Sequence, residues 1–370
     1  MTHAVDCAQR RMINVTWDDG LDAEFPYIWL IDSDPAGFHP DTNERSFDLT
    51  TVDEHIAPTD VQITGNRLSV SWTGAPAHST LDLTWLRDHR PGQRREDPAN
   101  VAAQTWRADL GAAGVPRWQA DDIDTSDAAL VGWMKDTRRY GLSIVAGLPD
   151  NDDVGSKLAE RIGYLRITNF GDGFAVKSMP KPTNLAFTAL ALPLHTDLPY
   201  QECPPGYQFL HCIANEADGG ASVFCDGFAV AEDFRRRYPD QFDLLTRVAI
   251  PFRYHDDKVD IRSRHPILVT DSDGQISEIC FNAHIGDVLD LEPGELAEFY
   301  PAYLNLMRLI RDPSYAVSLK LRAGEMVVFD NRRVLHGRSA FDPSTGFRHL
   351  HGCYIDRGDF DSKLRLLARA

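Results

Sequence analysis

The chain has 370 residues, 43% of them hydrophobic, with 38 Lys and Arg against 55 Asp and Glu, a formal net charge of −17. That length suits two domains, or one large domain with an appendage. A surface this acidic repels phosphate backbones and anionic lipid, so nucleic acid and membrane are poor partners.

The six cysteines, Cys7, Cys203, Cys212, Cys225, Cys280 and Cys353, include no close C-x-x-C pair. They suggest neither a disulfide framework nor a thiolate zinc site. Residues 1–11 are polar and lack the apolar stretch of a secretory signal. No apolar run approaches the roughly 18–20 residues of a membrane helix. The expectation is a soluble, cytoplasmic protein.

In chain order, residues 12–17 and 27–31 read as short strands, and 61–63 and 68–72 flank the hairpin turn signal Thr64-Gly65-Asn66. Residues 89–104 are polar, with a charge cluster at Arg94, Arg95, Glu96 and Asp97. We therefore divide the chain into a β-rich N-terminal domain (1–95), a linker (96–125) and a catalytic domain (126–370). Asp124-Thr125-Ser126 caps an expected helix over 127–140, with Gly141 as its stop. Residues 142–148 read as a buried strand and 153–162 as a second helix. Strand-like runs then dominate, at 207–213, 221–225, 248–252, 276–281, 326–330 and 349–355, interrupted by helical stretches over 229–248 and 293–311. The pattern is mainly β with flanking helices, a double-sheet jelly roll. Neither G-x-G-x-x-G nor G-x-x-x-x-G-K-[ST] occurs, which disfavours a doubly wound nucleotide fold.

Thirteen histidines invite a search for metal ligands. Strand side chains repeat with period two, so His-x-Asp at a strand end puts both groups on one face. A distant histidine then completes a triad of two His and one carboxylate, which leaves open positions on non-haem Fe(II). The motif alone is weak and occurs three times: His39-Pro40-Asp41, His195-Thr196-Asp197 and His255-Asp256-Asp257. His39 sits in a loop-like stretch and His255 among charges. His195 follows the apolar run 190–194, and Leu198-Pro199-Tyr200 follows Asp197. An ionisable pair in apolar surroundings needs a partner, and a metal is one. Near the far end, Asp330-Asn331-Arg332-Arg333-Val334-Leu335-His336-Gly337-Arg338 is a turn and a histidine ahead of a glycine, and Arg348 opens the last strand. The fork of a strand-borne arginine there suits a dicarboxylate.

With these residues the sequence resembles the taurine dioxygenase superfamily of Fe(II)/2-oxoglutarate oxygenases. The resemblance runs through His195 to Asp197, Pro204-Pro205-Gly206, Leu210-His211-Cys212, Gly219-Gly220, Asp226-Gly227-Phe228, residues 329–338 and Arg348-His349. Within that superfamily it is most similar to the γ-butyrobetaine dioxygenases, whose small N-terminal domain is also β-rich. The resemblance implies a double-stranded β-helix core and a homodimer. His195, Asp197 and His336 would hold Fe(II), and Arg348 would bind the distal carboxylate of the co-substrate 2-oxoglutarate. It also implies an aromatic cage for a trimethylammonium group at Phe170, Phe174, Phe187 and Tyr354, with Asn184 as a polar contact. Such a cation has no N–H and is held by π faces.

The match has departures. Phe187 stands where tyrosine is common, and a second asparagine is displaced, leaving Ala283 in its place between Asn282 and His284, with Asn282 a candidate contact. Gly286 replaces a usual basic residue. The N-terminal zinc of many relatives is expected to be absent, because the cysteines after Trp29-Leu30-Ile31-Asp32 are missing; Asp34, His39 and His78 are the remaining candidates. The implied reaction couples O2 and decarboxylation of 2-oxoglutarate to hydroxylation of a small zwitterion. The changed anion end tilts the expected substrate toward 2-(trimethylammonio)ethylphosphonate, with γ-butyrobetaine as the alternative. A non-catalytic betaine-binding protein is the rival from another class.

Overall fold

Two three-stranded antiparallel sheets build the N-terminal unit, Met1–Asp97: His3–Cys7, Met12–Thr16 and Asp22–Pro26, then Pro58–Thr64, Arg67–Trp72 and His78–Asp82. The computed structural model describes residues 1–177 and 188–369. Alternation fixes what each strand buries: Ile13 and Val15 on one, Leu68, Val70 and Trp72 on another, all in one core. The hairpin forms where its turn signal lies, with Thr64 paired to Arg67 and Gly65 at φ +59°. Residues 27–31 are a correction. They form the helix Tyr27–Asp32 rather than a strand, burying Tyr27, Leu30 and Ile31 on one side at helical spacing.

Ten strands organise the second unit, Pro98–Ala370. In chain order they are β1 (Arg117–Gln119), β2 (Leu142–Ala146), β3 (Gly173–Lys177), β4 (Leu192–His195), β5 (Tyr207–Asn215), β6 (Ser222–Asp226), β7 (Ala316–Leu319), β8 (Met326–Asp330), β9 (Val334–Arg338) and β10 (Arg348–Ile355). The major sheet has the order β1-β2-β8-β5-β10-β3 and the minor sheet β4-β9-β6-β7. Period-two alternation separates two cores. Val327 and Phe329 of β8 join Phe224, Val317 and Val334 of the minor sheet. Met326 and Val328 face the other way, onto Leu130, Trp133, Leu158 and Phe360 of the covering helices Asp127–Tyr140, Asp152–Glu160 and Arg357–Leu367. This is the jelly roll the sequence predicted.

The helix over 127–140 also matches expectation. Ser126 accepts from the Ala129 N–H and Gly141 ends the helix at φ +69°. The helix expected over 229–248 is instead two, Gly227–Arg237 and Pro239–Arg247. Pro239 cannot donate into a continuing helix and starts a new one. Between β6 and β7 these helices pack with Pro293–Ile310 and the hairpin Ala249–His255/Asp260–Pro266 around Phe234, Phe242, Phe252 and Phe299.

Residues 96–125 are not a loose linker beyond residue 97. Arg333 and Asp226, 1% and 0% exposed, form a two-pronged ion pair at 3.0 and 2.9 Å. The same groups accept from the Trp106 N–H and donate to the Gln104 carbonyl. Burying a charge pair is tolerable only when every remaining donor and acceptor is used. Here the segment around 104–106 supplies those partners, so it is built into the second unit. Among the described residues, no helix is long and apolar enough to cross a membrane.

Candidate metal centre

The two histidines meet across the minor sheet. His195 ends β4 and pairs with His336 of β9, their rings 4.3 Å apart. Gly337 permits this approach, since a Cβ there would lie 2.4 Å from the Leu192 carbonyl oxygen. Asp197 follows two residues after His195 on the same side. Its Oδ1 is 3.2 Å from His195 Nε2 and 3.7 Å from His336 Nε2. His195 Nδ1 lies 2.9 Å from the Pro193 carbonyl, which can only accept, so Nδ1 carries a proton and Nε2 is the nitrogen turned toward Asp197. His336 Nδ1 is buried without a hydrogen-bond partner among the described residues. Immediately after Asp197, Leu198 adopts φ +54°, an unusual conformation for a side-chain-bearing residue and one that concentrates strain beside the site.

Two segments hold the Asp197 loop. Asn331 bonds the Asp197 backbone on both sides. Thr196 exchanges hydrogen bonds with Phe281, and Asn282 Nδ2 donates to the Thr196 carbonyl. Asn282 Oδ1 accepts from the His284 N–H. This amide therefore ties the Thr196 carbonyl between the ligands to the turn at 282–284, which places the candidate substrate contact Asn282 beside the Asp197 loop.

The electrostatics suit a cation. Burial alone would push the Asp197 carboxyl up, but His336, His195 and the Tyr354 hydroxyl outweigh it and hold the group well below the usual carboxylate range. Burial, then the neighbouring His195, pushes His336 down to about 3, against the pull of Asp197. The set thus combines an ionised carboxylate at Asp197 with a neutral ring at His336, the protonation a metal requires of those two ligands. Among the described residues, His195, Asp197 and His336 are the one group of three or more such side chains with ligand atoms within 4.8 Å of one another. His39 and His255 are exposed, so the other two His-x-Asp pairs stay outside the site. Asp34 accepts from the Ala36 and Thr80 N–H groups, and His78 bonds Ser71.

A pocket opens beside the ligands, lined also by Gln208, Ser222, Arg338 and Arg348. Arg348 is 6% exposed, its Nε has no partner, and among the described residues no carboxylate pairs with it. Burial, then the nearby Arg338, pushes it down to about 10. A desolvated cation without a counter-charge is a site for an anion. Arg338 and Ser222 were not anticipated. Arg338 was visible two residues after His336, on the same strand face.

Aromatic rings continue from the ligands. Tyr354 donates to Asp197 Oδ2 at 2.7 Å and stacks on Phe174 at 5.2 Å. Gly352 allows this, because a Cβ there would lie 2.5 Å from Phe174 Cζ. Phe170 lies 6.5 Å from Phe174 and 5.5 Å from Tyr254, which stacks on Tyr200 at 5.2 Å. Phe170, Phe174 and Tyr354 are thus brought together, and Tyr200 and Tyr254 extend the row without having been anticipated. Asn184 and Phe187 lie outside the described residues.

Two histidines and a carboxylate on a jelly roll, beside a pocket holding a buried arginine, define a non-haem iron oxygenase. The model of the Taurine catabolism dioxygenase TauD, TfdA family matches residues 106–354, and the chain belongs to that family. It is 36% identical to the Gamma-butyrobetaine dioxygenase of Pseudomonas sp. (strain AK-1), over 96% of this chain and 94% of that one. It is 31% identical to the mitochondrial Trimethyllysine dioxygenase of Gallus gallus, over 93% and 83%. To the Gamma-butyrobetaine dioxygenase of Homo sapiens it is 27% identical, over 96% and 94%. The protein is an Fe(II)- and 2-oxoglutarate-dependent dioxygenase, and its donor set fits the iron.

Proposed function

We propose that this dioxygenase hydroxylates a small trimethylammonium zwitterion, with γ-butyrobetaine as the substrate. The observation that carries the reading is the stack of Tyr354 on Phe174, with the Tyr354 hydroxyl bonded to Asp197. It sets π faces, which favour a quaternary ammonium, directly against the ligand set. The relatives named above are called γ-butyrobetaine and trimethyllysine dioxygenases. They favour the carboxylate alternative and lend no support to the phosphonate preference drawn from the sequence.

In this reading His195, Asp197 and His336 hold Fe(II), which when bound supplies oxygen activation coupled to decarboxylation of 2-oxoglutarate to succinate. Arg348 grips the distal carboxylate of 2-oxoglutarate, its buried Nε having no hydrogen-bond partner among the described residues. Phe170, Phe174 and Tyr354 exclude water from the substrate head and orient the chain beyond it toward the ligands. The expected homodimer belongs to the same proposal and is checked by sedimentation.

The test is succinate formation with γ-butyrobetaine, trimethyllysine and 2-(trimethylammonio)ethylphosphonate at equal concentration. The fastest coupled turnover should come with γ-butyrobetaine. A faster reaction with the phosphonate overturns the choice of anion. Rates no higher than without substrate, for all three, overturn the trimethylammonium reading.

A further inference from the structure

Tyr354 does more than offer a ring. Its hydroxyl lies 2.7 Å from Asp197 Oδ2, while Asp197 Oδ1 faces both histidine Nε2 atoms. Among the described residues no other side chain or backbone N–H donates to Oδ2, so this contact, with His195 Nε2 3.2 Å from Oδ1, sets the rotation of the carboxylate. The phenol is itself firmly held. Tyr354 is 2% exposed, sits on β10 directly opposite Gln208 of β5, and stacks on Phe174 of β3. These strands belong to the major sheet, whereas both histidines belong to the minor one. The hydroxyl therefore ties the only charged ligand of the triad to the opposite sheet.

We propose that Tyr354 is a positioning residue of the metal centre, holding Asp197 Oδ2 so that the carboxylate presents Oδ1 alone to the metal. A carboxylate free to swing can bind a metal through one oxygen or both. Retaining Oδ2 keeps the site at three protein donors and leaves the other positions to 2-oxoglutarate and O2. Hydrogen-bond partners of metal ligands fix orientation in this way, and losing one typically costs roughly 10- to 100-fold in metal affinity. The inference rests on the metal-centre reading and is independent of the substrate.

The experiment is anaerobic titration of the metal-free protein with Co(II), followed by its visible absorption, for wild type, Tyr354→Phe, Phe170→Leu and Asp197→Ala. Tyr354→Phe removes one oxygen and keeps the ring, and circular dichroism of the metal-free variant checks its fold. Its Co(II) affinity should fall by roughly tenfold or more, and the cobalt bands should weaken and shift as the freed oxygen joins the metal. Phe170→Leu, which loosens the aromatic wall but leaves the hydroxyl and the Phe174 ring beneath it, should keep the wild-type spectrum. Wild-type affinity and spectrum in Tyr354→Phe, or an equal loss in Phe170→Leu, overturns the proposal and leaves the metal centre standing. Undiminished Co(II) binding by Asp197→Ala overturns the centre, and the proposal with it.

Discussion

Asn331 and Asp197 grip each other through the backbone: the Asp197 N–H donates to Asn331 Oδ1 at 2.7 Å, and Asn331 Nδ2 donates to the Asp197 carbonyl at 3.0 Å. Asn331 is fully buried in the turn between β8 and β9, so the strand carrying His336 begins where the loop carrying Asp197 is held. The spacing of the triad thus depends on an amide that touches no ligand atom.

Replacing it tests that dependence. Asn331→Ala strands the part-buried Asp197 N–H and carbonyl and the buried Pro205 carbonyl, at a cost of up to about 1–3 kcal/mol each. Metal affinity should fall with stability, because the Asp197 loop is released. Asn331→Asp keeps the acceptor and loses the donors, so it should fall between. Titration with Mn(II) alongside thermal melts checks both. Wild-type metal affinity in Asn331→Ala would show that the loop is held by Thr196 and Asn282 alone.

What was legible in the sequence was mostly local. Ser126 and Gly141 bracket one helix, and both act within a turn of it. His195 and Asp197 announced themselves as ionisable groups in an apolar stretch, and His336 by the glycine that lets its strand close on β4. The misses depended on distant partners. Residues 98–125 look like a linker until Arg333 and Asp226 are seen holding Gln104 and Trp106. Tyr200 and Tyr254 are 54 positions apart in number and stack only because the hairpin Ala249–His255/Asp260–Pro266 folds back on the His195 loop. No periodicity within either segment encodes that meeting. Asn282 was visible as a residue type, but whether its amide faces a ligand or the backbone is a property of the folded loop.

Arg348 makes two linked predictions. Arg348→Met should weaken 2-oxoglutarate binding roughly 10- to 100-fold, the equivalent of losing about 1.5–3 kcal/mol of charge-assisted hydrogen bonding. Arg348→Lys keeps the charge without the fork and should recover part of it. In the absence of 2-oxoglutarate, Arg348→Met should melt no lower than wild type, because among the described residues no carboxylate pairs with the lost cation and its Nε has no hydrogen-bond partner. Calorimetry with an inert metal bound gives the first result, and a thermal scan the second. A large destabilisation would make Arg348 a structural residue.

His211 predicts an acid limit unrelated to the metal. It is 1% exposed on β5, opposite His351 of β10, with both ring nitrogens lacking a partner among the described residues. Burial, then His351, pushes it down to about 4, with His349 acting the same way and Asp150 and Asp152 pulling it up. The fold therefore favours the neutral ring. Its contribution is intact above the unfolded value near 6.5 and is lost as pH falls from there toward 4, by up to about 1.4 kcal/mol per pH unit. Melting temperatures of the Mn(II)-loaded protein between pH 7 and 5 should drop more steeply for wild type than for His211→Leu. Parallel slopes would mean that the ring finds a proton-accepting partner on acidification.

The substrate head gives the last prediction. If Phe170, Phe174 and Tyr354 hold a quaternary ammonium, its charge matters as well as its shape. A neutral tert-butyl isostere of γ-butyrobetaine fills the same space and lacks the charge. It should bind more weakly by about 0.5–2 kcal/mol, roughly 2- to 30-fold. Phe174→Leu keeps apolar burial and removes a π face, so it should narrow the gap between the two compounds. The ring it removes is the one stacked on Tyr354 at 5.2 Å. The primary-amine analogue should also bind poorly, because its N–H donors would lose water against rings that accept hydrogen bonds weakly. Calorimetry with 2-oxoglutarate and an inert metal bound compares all three. Equal affinity for the trimethylammonium compound and its tert-butyl isostere would mean that the rings are packing alone, leaving an iron dioxygenase whose substrate is recognised elsewhere in the pocket.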